Sequence, residues 1–334
     1  VTLRKATAVI MAAGAMALGL GGCGGDGDVT GAGGEPFDLA LDFYVNPDHV
    51  GIYEGLDRGY FADSGLDVKP VVPSDPSAPI KQVAAGRVDL AISYEPEVML
   101  ARNQGLNVVA VGALVDGPLT SLISLPAGGI EDPSDLTGKT VVTAGIPYQA
   151  AYLQTILGDA GVDPESVDQV DVGFNLMPPL IAGRADAMFG GFLNVEGVDL
   201  AERGLDPRVV PVDELGVPTY DELVLVADAD RLQEDPGPIR DFLAALERGT
   251  TAAERDPAAA TQALLEAGDG LDPDLTRAEV DATLPHLVAP GDHPYGYMDP
   301  AEWEHFSKYL ADNDLIDAPQ PASEMLTNDL LPGG

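Results

Sequence analysis

VAAGRVDLAIS (residues 83–93) and LIAGRADAMFG (residues 180–190) share the pattern Ala-Gly-Arg-x-Asp between a helix-like run and a short strand-like one. Alone, the pattern is merely one way for a helix to turn into a strand. Here the likeness continues. Residues 83–114 and 180–215 each pass on into a second helix-like run, a Gly-Leu turn and a valine-rich strand. Repetition on that scale predicts two lobes of similar topology.

Outward from the first copy, strand and helix alternate. DLALDFYV (38–45), LDVKPVV (66–72), VDLAIS (88–93) and NVVAVGALV (107–115) read as strands. VGIYEGLDRGYFADSG (50–65) reads as one helix, with Ile52, Leu56 and Tyr60 on one face and Gly65 past its end. SDPSAPIKQVAAG (74–86) reads as a helix capped by Ser74 and stopped by Gly86. This alternation predicts an α/β fold of two lobes, each a mostly parallel sheet flanked by helices, with a cleft between them. The crossovers fall near Leu119 and Tyr220, so residues 37–118 and 221–334 make lobe 1 and residues 119–220 make lobe 2. PIRDFLAALERGTTAAERD (238–256) and PAEWEHFSKYLADNDLI (300–316) are amphipathic helices expected to pack on lobe 1.

Fifty-five acids against 17 bases give a formal charge of −38, while 45% of residues are hydrophobic. There is ample material for a core. A field this negative argues against nucleic acid as a partner, and against a polyanionic ligand unless a local site overrides it. The acidity otherwise describes a solvated surface. At the start, VTLRK carries two cations, Ala6–Leu20 is apolar, and LGGC ends in Cys23, the only cysteine. The apolar run is too short and too rich in small residues for a good membrane span. A single cysteine excludes internal disulfides and cysteine-built metal sites. The four histidines, His49, His286, His293 and His305, are scattered, so no metal is expected.

In open α/β sheets, ligands lie beyond the carboxyl ends of the strands. The first such end is followed by Asn46, Pro47, Asp48 and His49, the second by Ser74 and Asp75, and the third by Ser93, Tyr94 and Glu95. In the second half, TVVTAG (140–145) leads to Tyr148, DVGF (171–174) to Asn175, and DAMFGG (186–191) to Phe192, Asn194 and Glu196. Phe43, Tyr53 and Tyr220 add aromatic faces near these rims. Gly190 and Gly191 would let a ring approach the backbone. Ordinary structure offers an alternative for several of them: a turn at Asn46-Pro47, a helix cap at His49, packing at a helix start for Tyr148. The rims hold no arginine or lysine, which a nitrate, sulfonate or phosphate would want. Aromatic faces with carboxylate acceptors suit a flat nitrogen heterocycle, neutral or amine-bearing.

The leader, with its cations, apolar run and small residues before Cys23, resembles a bacterial lipoprotein signal peptide. That implies removal of residues 1–22, a lipid on Cys23, a flexible glycine-rich tether over residues 23–36, and a place on the outer face of the cytoplasmic membrane.

LDFYVNPDHVGIYEGLDRGYF (41–61), AGRVDLAISYEPEV (85–98) and FGGFLNVEGVDL (189–200) resemble the pyrimidine-precursor-binding proteins of thiamine-related ABC importers. These belong to the type II periplasmic-binding-protein superfamily, beside nitrate, sulfonate and riboflavin binders. IEDPSDLTGKTVV (130–142) resembles the segment that opens the second lobe across that superfamily. The resemblance implies ligand roles for Phe43, Asn46, His49, Tyr94, Glu95, Asn194 and Glu196. It implies a monomeric receptor that closes on a hydroxymethylpyrimidine- or formylaminopyrimidine-type precursor and delivers it to a permease and its ATPase. Riboflavin or a nitrate- or sulfonate-type solute is the alternative. The family commonly has Trp and Pro where this chain has Phe43 and Val45, often a Gln near Glu95, and an aromatic near Leu193. A sister branch, the eukaryotic pyrimidine synthases, holds pyridoxal phosphate on a lysine and consumes a histidine. The matching positions here are Ser93 and Glu97, and Val217–Tyr220 lacks the cysteines of that branch. A binding protein without cofactor is therefore expected rather than an enzyme. No dinucleotide, P-loop or nucleophile-elbow motif is present.

Overall fold

The computed structural model describes residues 34–287 and 293–333. The expected signal peptide, Cys23 and the tether as far as Gly33 lie outside the described residues. In chain order the strands are β1 (Glu35–Ala40), β2 (Leu66–Val71), β3 (Leu90–Ser93), β4 (Val108–Val115), β5 (Thr120–Ser124), β6 (Thr140–Thr143), β7 (Asp168–Asp171), β8 (Ala187–Phe192), β9 (Arg208–Pro211) and β10 (Leu223–Asp228). The helices run α1 (Val50–Asp57), α2 (Tyr60–Asp63), α3 (Pro79–Ala84), α4 (Glu95–Asn103), α5 (Pro147–Asp159), α6 (Met177–Ile181) and α7 (Glu196–Glu202). They continue as α8 (Ala229–Glu234), α9 (Gly237–Arg255), α10 (Pro257–Ala267), α11 (Pro273–Thr283), α12 (Pro300–Asp312) and α13 (Ala322–Met325).

Two five-stranded sheets form among the described residues, ordered β2-β1-β3-β10-β4 and β7-β6-β8-β5-β9. The orders are the same once β6 is set on β1. In each sheet four strands run one way and one runs against them: β10 between β3 and β4, β5 between β8 and β9. Each reversed strand follows a crossover from the other sheet. β3, β4 and β5 are buried along their whole length; β3 and β4 accordingly read as near-continuous apolar runs, whereas β5 carries Thr120, Ser121 and Ser124.

The Ala-Gly-Arg-x-Asp repeat has one physical job in both sheets. Gly86 and Gly183 take left-handed φ values of 63° and 64° to end α3 and α6. Asp89 Oδ2 then accepts from Asp38 N at 2.8 Å, and Asp186 Oδ2 accepts from Thr140 N at 2.9 Å. Their own amides donate back to Asp38 O and Thr140 O. Each aspartate thus clamps an incoming strand to its parallel neighbour.

Three boundaries differ from the sequence reading. β1 begins at Glu35, inside the residues read as tether, and ends at Ala40, so Leu41–Val45 lie outside the strand. The helix expected over residues 50–65 is two helices, because Gly59 adopts φ 72° between α1 and α2. α3 starts at Pro79 rather than after Ser74. A proline has no N–H to give and so belongs in a first turn, while Asp75 folds its own turn by accepting from Ser77 N at 3.1 Å. The amphipathic helices form as expected. α9 packs on α1, and its Phe242 stacks on Phe37 with centroids 5.2 Å apart. No helix among the described residues is long and apolar enough to cross a membrane.

Candidate functional site

The carboxyl ends of β1, β3, β6 and β8 meet at one cavity with about 400 Å³ of empty space. Of the expected rim residues, Phe43, Asn46, Tyr94, Gly190, Phe192 and Glu196 line it. Asp42, Gln149, Ile146 and Leu176 complete much of the wall. Among the described residues no arginine or lysine lines it.

Asp42 is the most elaborately held of these groups. It follows the end of β1, where the chain leaves the ladder and its side chains are free to turn inward. His49 Nε2 lies 2.8 Å from Asp42 Oδ1, and Tyr94 Oη donates to Asp42 Oδ2 at 3.1 Å. His49 Nδ1 accepts from Asn46 N at 3.3 Å, so the ring hydrogen sits on Nε2 and faces the carboxylate. His49 is therefore a buried support behind Asp42 rather than a wall of the cavity. Asn46 caps the following turn: its Oδ1 accepts from Asp48 N at 2.9 Å.

On the opposite side, Glu196 accepts from Phe192 N at 2.7 Å. Burial raises its carboxyl above the ordinary value, against the lowering effect of backbone N–H groups. Gln149 Oε1 accepts from Ala144 N at 2.9 Å, which fixes the amide against β8. A methyl group at Gly190 would overlap that amide, and Gly190 adopts φ 97°, so glycine is required there twice over. At the mouth, Phe43 meets Phe174 edge-on with centroids 4.6 Å apart, and Tyr44 packs on the same ring at 4.2 Å. These rings bridge the loops after β1 and β7.

The other expected site residues lie off the cavity wall. Ser93 Oγ donates to Glu97 at 2.8 Å in a buried pair. These are the positions where the synthase resemblance implies lysine and histidine, and they offer no amine for pyridoxal phosphate. Glu95 turns away and accepts from Asp221 N at 2.7 Å, while Trp303 Nε1 donates to Asp221 at 2.6 Å. Tyr148 and Tyr220 belong to a buried aromatic column that runs from Tyr94 through Tyr148, Tyr152 and Tyr220 to Phe306. Tyr53 packs against the core, and burial raises its phenol to about 12. Asn175 is exposed, Gly191 lies in β8 opposite Ser121, and Asn194 is buried against Asp48. Asp42 and Gln149 were the residues to find. Asp42 counts among the acceptors near the strand ends in the sequence, although a strand read to Val45 keeps it from the list of site residues; Gln149, in the first turn of α5, carries no such signal.

Glu222 binds the two crossovers together. Its Oε2 accepts from Leu119 N at 2.8 Å, Thr120 N at 2.7 Å and Tyr220 Oη at 2.9 Å; its Oε1 accepts from Thr120 Oγ1 at 2.8 Å. Nothing in the sequence pattern marked it.

Residues 46–260 match a family model described as NMT1/THI5 like. The chain is 34% identical over 297 residues to the formylaminopyrimidine-binding protein of Halalkalibacterium halodurans, covering 88% of this chain and 90% of that protein. It is 26% identical over 297 residues to a 4-amino-5-hydroxymethyl-2-methylpyrimidine phosphate synthase of Legionella pneumophila, covering 88% of this chain and 92% of that one. Among solved structures, the alkanesulfonate-binding protein of Xanthomonas axonopodis pv. citri bound to MOPS superposes with a TM-score of 0.70 at 14% identity, over 89% of this chain and all of that one. The likeness to that structure is one of fold: two lobes of the periplasmic-binding type.

Proposed function

Because the chain belongs to the NMT1/THI5-like family, we propose that it is the extracytoplasmic solute-binding component of an ABC importer and that its cavity takes a thiamine pyrimidine precursor, of the hydroxymethylpyrimidine or formylaminopyrimidine type. The observation that carries the ligand reading is the chemistry of the wall. Asp42 and Glu196 supply acceptors, Phe43, Tyr94 and Phe192 supply flat faces, and no cation of the described residues lines the space. An aminopyrimidine matches that set, with ring faces to stack and an exocyclic amine to donate. A sulfonate or nitrate does not, since it would face two carboxylates without a guanidinium or ammonium partner.

The residues at and behind the wall favour binding over synthesis. Ser93 and Glu97 are joined to each other and buried, and no lysine faces the cavity among the described residues. We place the protein at the outer face of the membrane through a lipid on Cys23, acting as a monomer with a permease and its ATPase. The leader sequence supports that part of the reading.

Calorimetric titration and thermal shift of the purified protein test it. Aminopyrimidines should raise the melting temperature; nitrate and alkanesulfonates should leave it unchanged. Glu196→Gln should weaken aminopyrimidine binding by about tenfold or more, the worth of a hydrogen bond to a charged group. Stabilisation by sulfonate or nitrate alone would overturn the reading, as would unchanged affinity in both Glu196→Gln and Phe43→Ala.

A further inference from the structure

Beside the cavity, where the loop after β1 meets the loop after β8, three buried polar side chains join the lobes. Asn194 Nδ2 donates to Asp48 Oδ1 at 2.8 Å and to Thr283 Oγ1, at the end of α11, at 2.7 Å. The orientation of the amide follows from its neighbours. Thr283 gives its single hydroxyl hydrogen to Glu279 O at 2.8 Å, so toward Asn194 it can only accept. Both amide hydrogens of Asn194 are then committed. What remains is an amide oxygen, Asn194 Oδ1, and a carboxyl oxygen, Asp48 Oδ2, each buried and each without a partner. Two acceptors left over in one carboxyl–amide pair share a single remedy. A hydrogen on Asp48 makes a carboxylic acid, which can donate back to the amide that donates to it.

We propose that Asp48 is protonated when the lobes are joined through Asn194, so that closing takes up a proton and the joined form weakens as pH rises. The charges around Asp48 agree. Asp42 on its own loop, Glu196 at the start of α7 and Glu222 at the crossover all act on it with the same sign. Glu279 on α11 faces Asp48, Asp199 and Glu196. The cations nearby are engaged elsewhere: Arg203 with Asp199, Arg58 with Glu54 on α1. His49 is bonded to Asp42, and His286, beyond α11, acts on Asp116. Burial holds the Asp48 carboxyl well above the ordinary range. With the joined-form pKa raised and the open-form value ordinary, the stabilisation is full below the open-form pKa and is lost as pH rises through the joined-form one.

The first test reads Asp48 directly in the intact protein, by the pH titration of its side-chain carboxyl ¹³C resonance, assigned through its backbone amide. The expected result is an Asp48 that stays protonated well above the pH at which an ordinary carboxyl ionises. An Asp48 that ionises in the joined form within the ordinary carboxylate range overturns the proposal. The second test measures the separation of the lobes by small-angle scattering between about pH 6 and pH 9. The wild type should open with rising pH, its joined population falling by up to about tenfold per pH unit above the joined-form pKa. Asp48→Asn replaces the acid by an amide that makes the same two bonds without titrating, and should stay joined throughout. Asn194→Ala should be open at every pH. An Asp48→Asn protein that opens with pH as the wild type does would assign the effect to Glu279 and sink the proposal. Neither test requires the transported solute, so failure of the ligand reading leaves both intact.

Discussion

Replacing Glu222 with alanine asks how firmly the two crossovers are held. The side chain is fully buried and accepts four hydrogen bonds, from Leu119 N, Thr120 N, Thr120 Oγ1 and Tyr220 Oη. Alanine removes them all. The two hydroxyls have fallbacks, since Tyr148 Oη lies 3.3 Å from Thr120 Oγ1 and the Tyr220 hydroxyl also reaches Thr120. The two backbone N–H groups have none. At about 1–3 kcal/mol for each buried donor left unmade, their loss costs about 2–6 kcal/mol. One effect works the other way: burial raises the Glu222 carboxyl, so its charge is a burden that alanine removes. The lower half of the range is therefore expected, about 3 kcal/mol out of a total stability of about 5–15 kcal/mol. Glutamine is the informative companion. Its oxygen can serve both backbone donors, and its amide NH2 can donate to Thr120 Oγ1, whose hydrogen then turns to Tyr148. Its cost should be about 1 kcal/mol. In thermal scans Glu222→Ala should melt about 5–10 °C below the wild type, and Glu222→Gln by less than half of that. A Glu222→Ala protein that melts with the wild type would refute the claim that this carboxylate ties the lobes. A glutamine variant worse than alanine would show that the charge, not the acceptor geometry, matters.

Stability should fall as pH rises from about 5 to about 8. Burial raises Glu97 to about 7 and Glu279 to about 8, and lifts the Glu95–Asp221 pair as well. Carboxyls raised in the folded state stabilise it fully below their unfolded pKa and lose that contribution as pH climbs through the folded value. Melting temperatures across that window check the sign, and a rise with pH would contradict it. Gly190→Ala should cost about 2–4 kcal/mol in urea unfolding, from a left-handed φ and a displaced Gln149 amide. Adding Gln149→Ala should recover part of that loss, because the overlap disappears; strict additivity of the two changes would deny the clash.

The architecture was legible because its signals are local. The Asp89 and Asp186 clamps each sit within a few residues of the glycine that ends a helix, so the repeat carries its own structural meaning. The strand-end rule also brought Phe43, Asn46, Tyr94, Gly190, Phe192 and Glu196 to one cavity from three strand ends, those of β1, β3 and β8. It failed on direction. Tyr94 and Glu95 are neighbours at the same strand end, yet one faces the cavity and the other turns to Asp221. Where a strand passes into a helix neither period applies, and only the packing of distant elements decides which residue points inward.

A deeper obstacle lay in the charge itself. With 55 acids in the chain, any single Asp or Glu reads as surface. Yet Asp42, Asp48, Glu95, Glu97, Glu222 and Glu279 are all buried. Had arginines or lysines answered them, paired charges in the sequence would have been a clue. Instead the partners are an imidazole, hydroxyls, amides and backbone N–H groups: His49 and Tyr94 for Asp42, Asn194 for Asp48, Ser93 for Glu97, Leu119 and Thr120 for Glu222. Such donors leave no charge pattern, and for Asp48, Glu95, Glu97, Glu222 and Glu279 burial raises the carboxyl above its ordinary value. The excess of acid that keeps the surface solvated thus conceals a second, interior set with a different chemistry. Within that interior set, Glu97 and Glu279 lose their contribution to stability as pH climbs through about 7 and about 8.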